Sequence, residues 1–296
     1  MSVQHTLARS LVVSGVALRS GAACRVVLCP AAPGTGVVFV VAGHEVPAHV
    51  EHVVDALLAT TLGRGGARVA LVEHLLAAAL GAGVDNLRVE LNGDEVPVLD
   101  GGALGWLGAF ARAGRSAQGQ AVRAWTVAEP VRVEAGASHA TLLPASALHL
   151  DITVDFPHPA IGAQRWAGDP VGAFGAELAW ARTFGFRRDA ERLQAAGIAR
   201  GASLDNTLVF DDEGVMNAGG QHHPDEVVRH KALDALGDLA LLGGRPCVRL
   251  VAHRGGHALH HALLHAARSR LVWAAPAARP LVGSGLDGAA VSRRHA

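Results

Sequence analysis

The feature that most limits how this chain can fold is a ten-residue pattern that occurs twice. VEHLLAAALG (72–81) and VRHKALDALG (228–237) share Val, His, Ala, Leu and Gly at equal spacing. Each copy precedes a strand-like segment, NLRVEL (86–91) and PCVRLVAH (246–253). An Ala- and Leu-rich chain can produce such a match by accident. Taken as duplication, the repeat implies two similar helices, each bringing one histidine, and a site between two related halves.

The segments around the repeat alternate short apolar runs with Gly/Pro punctuation, as in CRVVLCP (24–30) and GVVFVV (36–41). ALVEHLLAAALG (70–81) predicts a helix buried nearly all round, and NGDEVPVLDGG (92–102) a turn-rich stretch. ARAGRSAQGQAVRA (111–124) is polar and aperiodic, the best place for a domain boundary. LHLDITVDF (148–156) alternates strictly, with Leu148, Leu150, Ile152, Val154 and Phe156 on one face of a half-buried strand. GAFGAELAWAR (172–182) and DAERLQAAG (189–197) read as helices. The clearest helix is PDEVVRHKALDALGDLALLG (224–243), opened by proline and two acids and closed by Gly243-Gly244. A last helix runs from about Gly256 to Arg268, and the tail from Ala274 reads as frayed.

Composition removes several function classes. Lysine plus arginine equals aspartate plus glutamate, 26 against 26. No global field therefore favours nucleic acid or an anionic membrane, and an anionic substrate must be met locally. No apolar stretch approaches the ~20 residues of a membrane span. The N-terminus lacks the basic-then-apolar order of a signal peptide. Cys24, Cys29 and Cys247 form neither a disulfide framework nor a zinc-thiolate pattern, so a reducing cytoplasm is expected. GAGVDN (81–86) follows a helix rather than a strand, which rejects a dinucleotide fingerprint. Lys231 is the sole lysine among 26 basic residues. Either one lysine survived a compositional bias, or a compact ammonium fits where a planar guanidinium does not.

His230 and Asp234 are four apart and share one helix face, the geometry by which a helix offers two ligands to one metal. Asp238 continues the stripe. A catalytic zinc takes three protein ligands and keeps an open position, and His74 of the matching helix completes a His-His-Asp set. Glu73, a carboxylate in an otherwise apolar helix, is then well placed as general base for the attacking water. An isolated H-x3-D is more often an ordinary surface pair. Glu73-His74 in a buried helix and Lys231 beside His230 favour the metal. In HRGGHALHHALLHAARSR (253–270), His257 at the glycine-led start of the helix is placed for chemistry. His260, His261 and His265 read as a solvated face.

VEHLLAAALGAGVDN (72–86), EVPVLDGGA (95–103), DFPHPAIGAQ (155–164), ARTFGF (181–186), SLDNTLVFDD (203–212), DEVVRHKALDALGDL (225–239) and GHAL (256–259) together resemble, in order, the motifs of the UDP-3-O-acyl-N-acetylglucosamine deacetylase (LpxC-type) family. The resemblance implies two similar two-layer α+β domains, each a sheet with paired helices, packed helix to helix with the metal between them. The first spans about 1–115 and supplies Glu73 and His74. The second spans about 125–273, and 274–296 is a flexible tail. It implies one zinc per chain, with iron as the other cellular candidate, held by His74, His230 and Asp234. The implied reaction is zinc-dependent hydrolysis of the N-acetyl group of a UDP-linked acylated amino sugar in lipid A biosynthesis. Glu73 would activate the water, and Thr183 and Lys231 would stabilise the oxyanion beside the zinc. His257, oriented by Asp238, would protonate the departing amine, and Phe156 would stack on the uracil.

The resemblance also assigns an insert at about 186–204 to an apolar passage for the acyl chain, with Phe184 and Ile198 as lining residues; ordinary core packing is the other account of Ile198. Two departures stand out. GVALRSG (15–21) has Arg19 where the family usually has histidine and Ala17 where it has glycine. GQHHPDE (220–226) replaces a usual Leu-Arg-aromatic run. The competing readings are a related zinc amidohydrolase for another N-acetylated sugar and a non-catalytic zinc-stabilised binding protein.

Overall fold

Two five-stranded sheets of the same design carry the molecule. In the computed structural model, which describes residues 2–196 and 198–274, the first sheet runs Leu11–Val16, Ala23–Pro30, Leu87–Leu91, Val37–Val41, His44–Pro47. The second runs Val131–Ala135, Ser138–Pro144, Val248–His253, His149–Phe156, Gly162–Gly168. In both, neighbours are antiparallel except one pair: Val37–Val41 with Leu87–Leu91, and His149–Phe156 with Val248–His253. A parallel pair needs a crossover, and each sheet's crossover contains a helix of the repeated decapeptide. The repeat is thus matched by repeated topology, and the chain is two similar α+β units.

Among the described residues the α-helices are, in chain order, α1 (Glu73–Ala82), α2 (Leu104–Ala113), α3 (Arg187–Ala195), α4 (Glu226–Leu239) and α5 (His257–Ala267). α1 consists of good helix formers, Leu and Ala, from Leu75 to Leu80. It stops at Gly83, whose left-handed φ of 67° lets its N–H reach the Ala79 and Leu80 carbonyls. α1 packs on α2, α4 on α5, and α1 lies along α4, so the helix layers face each other. The α1–α4 crossing is set by Gly237, where a Cβ would come within 2.1 Å of the Glu73 carbonyl oxygen. Both helices are rich in buried apolar side chains, Leu75, Leu76, Leu233 and Leu236 among them, all at most 1% exposed.

The strand His149–Phe156 buries Leu150, Ile152 and Val154 as the alternation requires, and Phe156 is half-buried. Its other face is not simply solvated. Asp151 is buried under Arg165 and Arg249, whose hydrogen bonds, Arg165's foremost, bring its pKa down to about 2.

Two expectations need correction, and the stretch 111–124 carries more regular structure than its composition suggests. Residues 172–182 do not form a helix; only one π-helical turn, Phe174–Leu178, is present. The carbonyls that would continue it are engaged elsewhere, Ala179's by the Ala103 N–H and Ala181's by His230. The aperiodic stretch 111–124 holds the strand Arg115–Ala121, paired with Val3–Leu7, so its exposed polar residues belong to a small separate ladder. Ala274 ends the strand Leu271–Ala274, and the rest of the expected tail, 275–296, lies outside the described residues. Among the described residues no helix is long and apolar enough to cross a membrane.

Candidate metal centre and active-site cleft

His74 is the second residue of α1, and His230 and Asp234 stand one turn apart on α4; all three are 2% exposed. Both imidazoles turn Nε2 toward Asp234 Oδ1, each at 3.4 Å. The rings meet edge to face, 5.0 Å between centroids. Asp234 Oδ1 is buried with no hydrogen-bond partner among the described residues. A buried carboxylate oxygen left in that condition is costly unless something else satisfies it. One ligand atom from each residue lies within 4.8 Å of the others. Two nitrogens and one carboxylate oxygen are a donor set suited to a divalent transition metal with positions left open.

The surroundings prepare these ligands. His230 Nδ1–H donates to the Ala181 carbonyl at 3.0 Å, which leaves Nε2 as the lone-pair atom. Burial brings the His230 pKa down to about 4, so the ring is neutral at neutral pH. His74 moves upward despite burial, because Asp234 and Glu73 attract positive charge there. Asp234 stays ionised well below the usual carboxylate range: burial opposes this, but His230, Lys231 and His74 outweigh it. Lys231 Nζ donates to Asp234 Oδ2 at 2.9 Å. The pocket is electron-rich and favours a cation.

These groups floor a cavity of about 610 Å³ that Glu73, Thr183, Phe156, Phe184 and His257 also line. Glu73 adjoins His74, and burial raises its pKa. Its Oε1 lies 3.8 Å from His257 Nε2. On the far side of that ring, Nδ1–H donates to Asp238 Oδ2 at 2.9 Å. The Asp238 and Glu73 charges outweigh burial and push His257 up to about 10. Phe156 and Phe184 meet edge to face at 5.5 Å, and Lys231 Nζ stands 5.4 Å from the Phe184 ring centroid. Among the described residues, the sequence-derived set is gathered in this one cavity except for Asp238, which lies behind His257, and Ile198. Ile198 is half-buried and outside the lining. Its segment docks on the first unit instead, where the Arg200 and Gly201 N–H groups bond the Arg19 and Leu18 carbonyls. Arg19 itself pairs loosely with Asp55, at 3.9 Å.

His260 and His261 do not form a solvated face. Both are 4% exposed and converge on Asp238, at 2.8 Å and 3.3 Å, whereas His265 is exposed as expected. The signal was present in the spacing, because residues 257, 260 and 261 share one face of a helix. A buried carboxylate four residues beyond Asp234 supplies the partner that turns that face inward. Thr60, which bonds Asp238, was also missed, since nothing in a lone threonine marks it.

The sequence profile of the UDP-3-O-acyl N-acetylglycosamine deacetylase family matches residues 4–268. A UDP-3-O-acyl-N-acetylglucosamine deacetylase of Myxococcus xanthus is 45% identical over 269 residues, covering 88% of this chain and 85% of the relative. That of Anaeromyxobacter dehalogenans is 44% identical over 284 residues, covering 94% and 90%. That of Nitratidesulfovibrio vulgaris is 41% identical over 265 residues, covering 88% and 86%. With the matched span covering both units and the whole cleft, the chain belongs to the UDP-3-O-acyl N-acetylglycosamine deacetylase family.

Proposed function

We propose that this protein is a cytoplasmic zinc-dependent deacetylase that hydrolyses the N-acetyl group of UDP-3-O-(3-hydroxyacyl)-N-acetylglucosamine, releasing acetate and the free amine in lipid A biosynthesis. The observation that carries this reading is the pair Glu73 and His257, facing each other at 3.8 Å in the cavity that the His74–His230–Asp234 set also lines. A general base and a general acid flanking one electrophilic site are what amide hydrolysis requires.

Zinc held by His74, His230 and Asp234 would polarise the acetamide carbonyl and make the attacking water more acidic. Glu73 takes a proton from that water as its oxygen bonds to the carbonyl carbon. Lys231 and Thr183 meet the negative charge that develops on the carbonyl oxygen, a contribution worth several kcal/mol in a dry site. His257 delivers its proton to the nitrogen as the C–N bond breaks, and Asp238 holds the imidazolium in orientation. Phe156 and Phe184 offer aromatic faces on the cavity wall for the uracil and the acyl chain. The unit division near residues 115–125 and the acyl-passage role of 186–204 belong to the same proposal.

Turnover of the 3-O-acylated substrate compared with UDP-N-acetylglucosamine tests the substrate assignment. Strong preference for the acylated sugar supports it, and equal turnover of both would point to a different N-acetylated sugar.

A further inference from the structure

Thr60 lies on none of the three helices, α1, α4 and α5, that carry the site. It stands immediately before the strand Thr61–Arg64 and is 0% exposed. Its backbone N–H donates to Glu73 Oε2 at 3.0 Å. Its hydroxyl donates to Asp238 Oδ1 at 2.8 Å. The same oxygen is 3.0 Å from His261 Nε2 and 3.3 Å from His257 Nδ1. His257 Nδ1–H is directed at Asp238 Oδ2, so His261 Nε2–H is the donor left to serve the threonine oxygen. A single residue therefore ties the carboxylate beside His74 to the carboxylate behind His257. It does so with two independent groups, one on the backbone and one on the side chain.

We propose that Thr60 is a positioning residue for the deacetylation, fixing Glu73 and Asp238 in one frame and, through Asp238, holding His257 against Glu73. This rests on the base and acid roles proposed above for Glu73 and His257. Asp238 accepts from His257, His260 and the Thr60 hydroxyl, and His261 Nε2, which serves the threonine oxygen, lies 3.3 Å away. Of these groups the hydroxyl is the one from the first unit, so it ties the Asp238 carboxylate directly to the residue whose N–H holds Glu73. Without it the carboxylate can follow the α5 histidines, and His257 moves with it. Displacements of about 1 Å at reacting groups cost on the order of a hundredfold in rate.

Thr60→Val keeps the shape and the backbone N–H and removes only the hydroxyl; Thr60→Ser keeps both bonds and removes the methyl. For Thr60→Val, kcat should fall by about 10- to 100-fold, with KM within about twofold and zinc still bound one per chain. Thr60→Ser should restore kcat to within about threefold. A substrate-free readout is histidine C2 hydrogen–deuterium exchange at His257 in the zinc-loaded protein. Thr60→Val should accelerate it about threefold or more, and Thr60→Ser should leave it unchanged. Normal kcat in Thr60→Val, equal impairment in both variants, or unchanged His257 exchange would overturn the proposal. If Thr60→Val does not fold, Thr60→Cys, a weak donor, carries the same expectations. Wild-type protein without acetate release would instead contradict the proposed reaction, and the exchange measurement would still decide on Thr60.

Discussion

Glu73 Oε1 and His257 Nε2 stand 3.8 Å apart, a carboxylate from the first unit facing an imidazole from the second. His257 Nε2 is also 3.9 Å from Asp234 Oδ2, so the pair closes over the candidate metal ligands. The helix-to-helix contact at Gly237 brings the helix of Glu73 against the helix of Asp234 and Asp238. Two halves with the same topology thus each bring one group to this facing pair, the carboxylate from the first and the imidazole from the second.

Glu73→Ala and His74→Ala should separate base from ligand although the residues are adjacent. Glu73→Ala should retain about one zinc per chain and lose roughly 10²- to 10⁴-fold in kcat. His74→Ala should lose the zinc itself. Metal analysis beside steady-state kinetics distinguishes them, and equal zinc loss in both contradicts the base assignment.

The pH profile follows from the forms each group must hold. In the proposed mechanism Glu73 has to be deprotonated, and burial raises its pKa above the ordinary 4.5, so kcat falls as pH drops through that raised value. His257 has to be protonated, and its pKa of about 10 keeps kcat high until pH rises toward that value. The two limbs belong to the facing pair as a unit. An alkaline limb near the ordinary imidazole value would contradict the Asp238–His257 pairing.

Lys231→Arg should retain zinc and still lose on the order of 10²-fold in kcat. The ammonium fits between Asp234 and the Phe184 ring, and a planar guanidinium cannot reproduce that single-point contact. Near-normal kcat would make the sole lysine an accident of composition.

Gly237→Ala should lower unfolding stability by about 1–3 kcal/mol or more, because a Cβ there meets backbone at the α1–α4 crossing and neither helix can yield locally. Zinc affinity should fall with it, since the crossing sets the distance from His74 to His230. Thermal denaturation and zinc titration read both effects. Wild-type values in both would show that the crossing is not tight.

Much of this was legible in the chain. The duplicated decapeptide announced α1 and α4, and its two histidines and the i+4 aspartate are the residues that converge. What was not legible depends on partners distant in sequence. His260 and His261 look polar and surface-bound until Asp238 is seen beneath them. Glu177, in a stretch that reads as a helix, accepts from Trp166 and Arg229, and the chain from 172 to 182 follows those contacts rather than its helix-like composition. Thr60 is ordinary in sequence, and its importance comes from where a loop of the first unit meets α4 of the second.

The most direct test of the whole account is acetate release from UDP-3-O-(3-hydroxyacyl)-N-acetylglucosamine by the purified protein as isolated, after chelation, and after return of one equivalent of zinc. The account predicts release that disappears on chelation, returns with one zinc per chain, and leaves the ester intact. Zinc bound at His74, His230 and Asp234 with no acetate released, or release that survives complete removal of metal, would contradict it.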